Sequence, residues 1–176
     1  MTAAIPPMVV MGVSGSGKSV LGQALGESLG IPFIDADDLH PASNKALMAA
    51  GTPLTDEDRI PWLKVVAATI AKGLDEGHPS VVACSALKRS YRDLLRSQVP
   101  DLLLIYIDGA AEVIAGRLET REHEFMPATL LASQLATLEP PQADEAHIRV
   151  PAELTVEEAV ELVRGTLHLS AAAPPR

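Results

Sequence analysis

"GVSGSGKS", Gly12 to Ser19, follows an apolar run, MVVM, and precedes a stretch with helical spacing. The eight residues match G-x-x-x-x-G-K-[ST] in the strand, turn and helix setting that this pattern requires. Glycines at 12, 15 and 17 admit backbone conformations closed to other residues, so consecutive N–H groups turn inward around phosphate oxygens. The N-terminus of the following helix adds its partial positive charge. Gly12, Val13, Ser14, Gly15, Ser16, Gly17, Lys18 and Ser19 are therefore the candidate ligands of a nucleotide's phosphates. Within them Lys18 is placed to reach a transferred phosphate, and the Ser19 hydroxyl to ligate Mg²⁺.

Working outward, apolar runs of strand length recur at "MVVMGV", "PFIDA", "SVVACSA", "LLLIYID" and "HIRVP", with helical spacing between them. That alternation predicts an α/β fold with a parallel sheet of about five strands flanked by helices. Helices are expected over 17–29, 43–50, 57–76, 88–98, 110–120, 127–138 and 156–167. Asp56 stands just ahead of the third as its cap, and Thr155 with Glu158 has the capping-box pattern.

A chain of 176 residues is most economically one domain, expected here over residues 1–170, with a disordered tail at 171–176 where "SAAAPPR" ends the sequence. A net charge of −9 and a pI near 4.9 argue against nucleic acid as a partner. Cys84 is the only cysteine, so an intrachain disulfide is excluded, and its apolar neighbours predict a buried thiol in a reducing compartment. The N-terminal residues lack the basic and apolar regions of a secretory signal, and no apolar run reaches membrane-spanning length. A cytoplasmic protein with no membrane partner is the expectation.

"FIDADDLHP", Phe33 to Pro41, sets three carboxylates close together behind an apolar run. Like charges this close raise one another's pKa unless a cation or hydrogen-bond donors hold them ionised. In an open parallel sheet, ligands bind beyond the carboxyl ends of the strands, which brings this segment to the same crevice as the phosphate loop. Asp35 is then the candidate to hold Mg²⁺, through a water, and Asp37 the candidate general base toward a substrate hydroxyl. Asp38 points elsewhere. The competing reading makes all three turn and cap residues before Pro41.

A nucleotide-dependent switch usually has a metal-binding Asp at the end of a further strand and an N-K-x-D-like base-reading motif. Here "SVVACSA" carries Ser85 near its end in place of an Asp, and Asn44 and Lys45 are followed by Ala46 and Leu47. Asp108 ends "LLLIYID", but Gly109 behind it favours a strand-to-helix turn.

The stretches "MGVSGSGKS", "DADDLHP", "GTPLTDEDRIPWL", "CSALKRSYRDLLR", "LIYIDG", "RLETREHEFMPATLLASQLATLE" and "PPQADE" together resemble the bacterial-type gluconokinases, P-loop kinases related in fold to shikimate kinases. They span Met11 to Glu145, about three quarters of the chain. The resemblance implies a three-layer P-loop kinase fold and phosphorylation of D-gluconate by ATP, commonly by a homodimer. It also implies a short lid at about 118–128 and a substrate-binding region at about 37–63. Gluconate is a polyol carrying a carboxylate, so its site needs fixed donors and a cation. Arg59, Lys88 and Arg92 are candidate anchors; His40, Ser85 and Tyr91 are candidate hydroxyl contacts. Arg59 follows Asp37 by 22 positions, comparable with the spacing of acid and carboxylate-binding arginine in shikimate kinases. Pairing of Arg59 with Asp56, and a solvated face carrying Lys88 and Arg92, are the plainer alternatives. Arg117 and Arg121 recur at helical spacing and are expected to reach the transferring phosphoryl group when the lid closes. "PPQADE" resembles a loop that touches adenine in related kinases, and from its own residues reads as a turn. Another small-molecule kinase of this architecture, or a regulatory nucleotide switch, are the rival functions.

Overall fold

The computed structural model describes residues 4–109 and 128–168. Five strands, β1 (Met8–Met11), β2 (Phe33–Asp35), β3 (Val81–Ala83), β4 (Leu103–Asp108) and β5 (His147–Pro151), form one sheet in the order β2-β3-β1-β4-β5. Every pairing is parallel. The expected five-stranded parallel sheet is thus found. All four residues of β1 are buried, as a strand covered on both faces requires. From β1 the chain builds first to one side and then to the other, and this reversal opens a crevice at the carboxyl end of β1.

Alternation along the strands sorts side chains into two cores. Met8 and Val10 of β1, with Ile105, pack against Leu21 and Leu25 of α1 (Lys18–Leu29) and Val163 of α6 (Val156–Thr166). Val9 and Met11, with Leu104, face Leu63 and Val66 of α3 (Asp56–Asp75) and Leu95 of α4 (Arg89–Gln98). The shorter α2 (Ala42–Ala49) and α5 (Ala128–Thr137) complete the helices among the described residues. Helix α1 seats closely on β2 because Gly22 and Gly26 are bare: a Cβ there would lie 2.6 Å from the Phe33 ring and 2.9 Å from the Ile31 carbonyl oxygen.

The capping box at Thr155 and Glu158 is present as expected. For α3 the cap is Thr55, not Asp56. The Thr55 hydroxyl accepts from the Asp58 N–H at 3.2 Å while the Asp58 carboxylate accepts from the Thr55 N–H at 2.9 Å. That reciprocal pair leaves the Asp56 carboxylate for other partners. Cys84 is buried, and burial pushes its thiol up to about 12. Among the described residues no helix is long and apolar enough to cross a membrane. The expected helix at 110–120, residues 118–127 of the expected lid, Arg117, Arg121 and the tail at 171–176 lie outside the described residues.

Candidate active site

The phosphate loop joins β1 to α1 at the switch point of the sheet. Gly15 (φ 80°) and Gly17 (φ 98°) take left-handed conformations that favour glycine. A Cβ on Gly12 would sit 2.8 Å from Ser16 Oγ and 3.2 Å from the Ile107 carbonyl oxygen, so only hydrogen fits at the loop's entrance. Lys18 Nζ donates to the Val13 carbonyl at 3.0 Å, which folds the ammonium over the loop. The Ser14 N–H donates to Gln134 Oε1 at 2.6 Å. This tie from α5 has no counterpart among the sequence expectations, because a lone glutamine on a helix carries no motif.

The carboxylate of Asp35 resolves the crowding of acids. Its Oδ2 accepts from the Ser19 hydroxyl at 2.9 Å, and its Oδ1 accepts from the Asp37 N–H at 3.0 Å, capping a 3₁₀ turn at Ala36–Leu39. The capping reading holds for Asp35, and the same carboxylate is tied to the phosphate loop through Ser19. Asp37 and Asp38 are exposed. Asp37 Oδ1 lies 3.9 Å from Nε2 of the buried His40. The His40 ring stacks on Trp62 at 3.9 Å between centroids, and Trp62 Nε1 donates to the Ala36 carbonyl at 2.7 Å. Burial first, then Arg59 and Lys45, lower the His40 pKa to about 4. The Cys84 thiol, just past the end of β3, feels the charges of Asp37, Lys18 and Asp35 together, so loop and acids converge over the strand between them.

Beside this segment, α3 and α4 bring together a basic cluster. Arg59 Nη1 donates to the Tyr91 hydroxyl at 3.0 Å, and that hydroxyl donates to Asp56 Oδ1. Lys88 Nζ donates to the Asp56 carboxylate at 3.0 and 3.2 Å. Both cations stand 5.6 Å from the centre of the Tyr91 ring. Hydrogen bonds from Tyr91 and Lys88 hold the Asp56 carboxyl below the usual carboxylate range. Arg59 is therefore held by Tyr91, and Lys88 takes Asp56.

Arg92 departs from its expected role. It is wholly buried, with Nε and Nη2 on Glu145 at 2.7 and 3.0 Å and Nη1 on the carbonyls of Ala86 and Leu87 at 3.0 and 3.2 Å. It braces the "CSALK" turn instead of facing solvent with Lys88. Ala86 there has φ 44°, a left-handed conformation without glycine. The Ser85 carbonyl accepts from the Gly12 N–H at 3.4 Å, which sets this turn against the phosphate loop. "PPQADE" is anchored to α4: Arg89 reaches both oxygens of Asp144 at 2.7 and 2.8 Å, and Gln142 at 2.8 Å. Asp108 is paired with Arg149 Nε at 2.7 Å.

A cavity of about 290 Å³ opens beside the loop, between Gly17 and Val20 on one side and Val150, Ala152 and Val156 on the other. Among the described residues no group of three or more His, Cys, Asp or Glu is arranged around a metal position. The Ser19 hydroxyl and Asp35 carboxylate are hard oxygen donors, and they fit Mg²⁺, which keeps waters and phosphate oxygens in its shell and needs no protein cage.

A parallel sheet with the phosphate loop at its switch point, a lysine folded over that loop and a carboxylate bonded to its terminal serine define a P-loop phosphotransferase. In agreement, the family model described as "AAA domain" matches residues 8–141. A gluconokinase from Gluconobacter oxydans (strain 621H) is 48% identical over 83% of this chain and 82% of its own. A probable gluconokinase from Mus musculus is 42% identical over 91% and 96%. The crystal structure of a gluconokinase from Sinorhizobium meliloti 1021 superposes with a TM-score of 0.85 at 44% identity, covering 93% of this chain and 91% of that one. The chain belongs to the gluconokinase family.

Proposed function

We propose that this protein transfers the terminal phosphoryl group of ATP to the terminal hydroxyl of D-gluconate, giving 6-phospho-D-gluconate and ADP. The observation that carries the reading is the 2.9 Å bond from Ser19 to Asp35, which joins the phosphate loop to the acidic segment across 16 residues of sequence. Phosphates lie on the amides of Gly12 to Ser19, and Lys18 leaves the Val13 carbonyl to neutralise charge on the transferring group. The base of the nucleotide occupies the apolar cavity beside Val20 and Ala152. Ser19 and Asp35 hold Mg²⁺, which supplies charge neutralisation on the phosphates. Asp37 accepts the proton of the acceptor hydroxyl as that oxygen bonds to phosphorus and ADP departs.

Gluconate's carboxylate pairs with Arg59 and Lys88, and its hydroxyls with His40 and Ser85. Arg117 and Arg121 reach the transferring phosphoryl group when the lid at about 118–128 closes, within a single domain spanning residues 1–170. In this reading the enzyme is a cytoplasmic homodimer without nucleic-acid or membrane partners. The family resemblance supports the dimer, the buried lone thiol supports a reducing compartment, and the net charge of −9 disfavours nucleic acid.

ADP release measured with ATP, Mg²⁺ and a panel of gluconate, other sugar acids, shikimate and nucleoside monophosphates tests the reading. Saturable turnover with gluconate is expected. Turnover with another acceptor and none with gluconate removes the substrate assignment; hydrolysis independent of any acceptor points to a switch.

A further inference from the structure

Asn44, on α2, belongs to none of the chemistry above, yet it is buried at 3% exposure and spends both hydrogens of one amide nitrogen. Its Nδ2 lies 2.9 Å from the Asp58 carbonyl oxygen and 3.2 Å from His40 Nδ1. The first contact fixes the orientation of the amide, since its oxygen in that place would face a second carbonyl oxygen. The second then makes Nδ1 of His40 the acceptor. A ring that accepts at Nδ1 carries its proton at Nε2.

Burial and the cations around the ring favour a neutral imidazole, and they outweigh the Asp37 carboxylate, which favours the charged form. Trp62 covers one face, Arg59 and Lys45 oppose a positive charge, and the side chain is only 3% exposed. Nε2 lies on the Asp37 side of the ring, 3.9 Å from that exposed carboxylate, a distance too long for a direct hydrogen bond. A substrate oxygen beside Asp37 meets a fixed donor there.

We propose that Asn44 is a positioning residue that locks His40 in its Nε2–H tautomer, so that a neutral ring donates to an acceptor hydroxyl held next to Asp37. The role deepens the gluconate reading and rests on it for the identity of that hydroxyl. A neutral donor suits this position because it orients a hydroxyl beside the base without an added cation that would lower the basicity of Asp37.

Long-range ¹H–¹⁵N spectra of the whole protein, labelled with ¹⁵N-histidine and assigned by the signal missing from His40→Gln, read the tautomer directly. A pyridine-type nitrogen at Nδ1 and a pyrrole-type nitrogen at Nε2 are expected at neutral pH; a proton on Nδ1, or a charged ring, overturns the proposal. In Asn44→Leu the tautomers should mix. The KM for gluconate should rise about three- to tenfold, the worth of one neutral hydrogen bond, with kcat within about twofold and the KM for ATP unchanged. A folded Asn44→Leu enzyme with wild-type gluconate KM sinks it. Should that variant fail to fold, His40→Gln, which keeps a donor, must hold gluconate more tightly than His40→Leu; equal KM values overturn the role. Absence of gluconate turnover in the wild type would instead remove the substrate assignment, and the tautomer spectrum is independent of it.

Discussion

Asp37 has the exposure that a base needs and the neighbours that keep it in place. Its own N–H is bound to Asp35, which is bound to Ser19, so the acid's backbone is referenced to the phosphate loop. Asp37→Ala should lower kcat by about a hundredfold or more with circular dichroism unchanged, the range for losing a positioned general base; steady-state kinetics with wild-type turnover would reject the assignment. His40 gives a second expectation, in stability. Its folded pKa, about 4, lies below the unfolded value of 6.5. Between those values the unfolded chain binds the extra proton, so stability is fully present above about pH 6.5 and is lost as pH falls toward 4. Urea midpoints measured across that window should fall with acidification in the wild type and fall less in His40→Gln. The depressed carboxyls of Asp56, Asp58, Asp93 and Asp144 act mainly below their ordinary value of 3.8. Glu145, lowered from 4.5 to about 2, adds its own loss at the acid end of the window in both proteins, so the His40 contribution is the difference between them.

Helix and strand positions were legible because each element repeats one local pattern: α3, expected at 57–76, runs Asp56–Asp75. Its cap was less so. Thr55 and Asp56 are both good capping residues, and only the reciprocal bonds with Asp58 decide between them. Arg92 marks a sharper limit. Spacing of four residues puts it on one side of α4 with Lys88, but nothing local reveals that residues 140–145 fold over that side and bring Glu145 to it. The Gln134 to Ser14 bond was hidden for the same reason, being a contact between residues 120 apart. Burial alone would raise the Glu145 carboxyl, and hydrogen bonds from Arg92 and the Gln142 N–H bring it down to about 2. Arg92→Met strips this buried acid of its main partner, and the expected loss is about 3–5 kcal/mol in urea denaturation. Glu145→Gln added to Arg92→Met should recover part of it, because the stranded charge is then gone.

Across the whole molecule, what sequence conceals is the order of the strands. β2 follows β1 in the chain, yet β3 lies between them, and that insertion is what sets the acids of β2 one strand away from the phosphate loop with Cys84 beneath. In the proposed reading one side of the carboxyl edge takes the nucleotide and the other the acceptor: loop, α1 and the start of α6 for the base, α3 and α4 for the acid. Ligands that bind only the folded chain stabilise it by mass action, about 2.7 kcal/mol at a hundred times Kd. For a chain of this length ADP at that level should raise Tm by roughly 5–10 °C. Val20 is 49% exposed on the first turn of α1 and lines the cavity assigned to the base, so a larger side chain there fills the cavity without disturbing either core. Val20→Trp should keep the ligand-free Tm within about 2 °C of the wild type and lose most of the ADP-induced rise. Its gluconate-induced rise should stay, since Arg59 on α3 and Lys88 at the start of α4 do not line this cavity. An undiminished ADP shift in that variant would move the base out of the cavity, and a gluconate shift lost along with it would mean that the two halves of the edge are not independent.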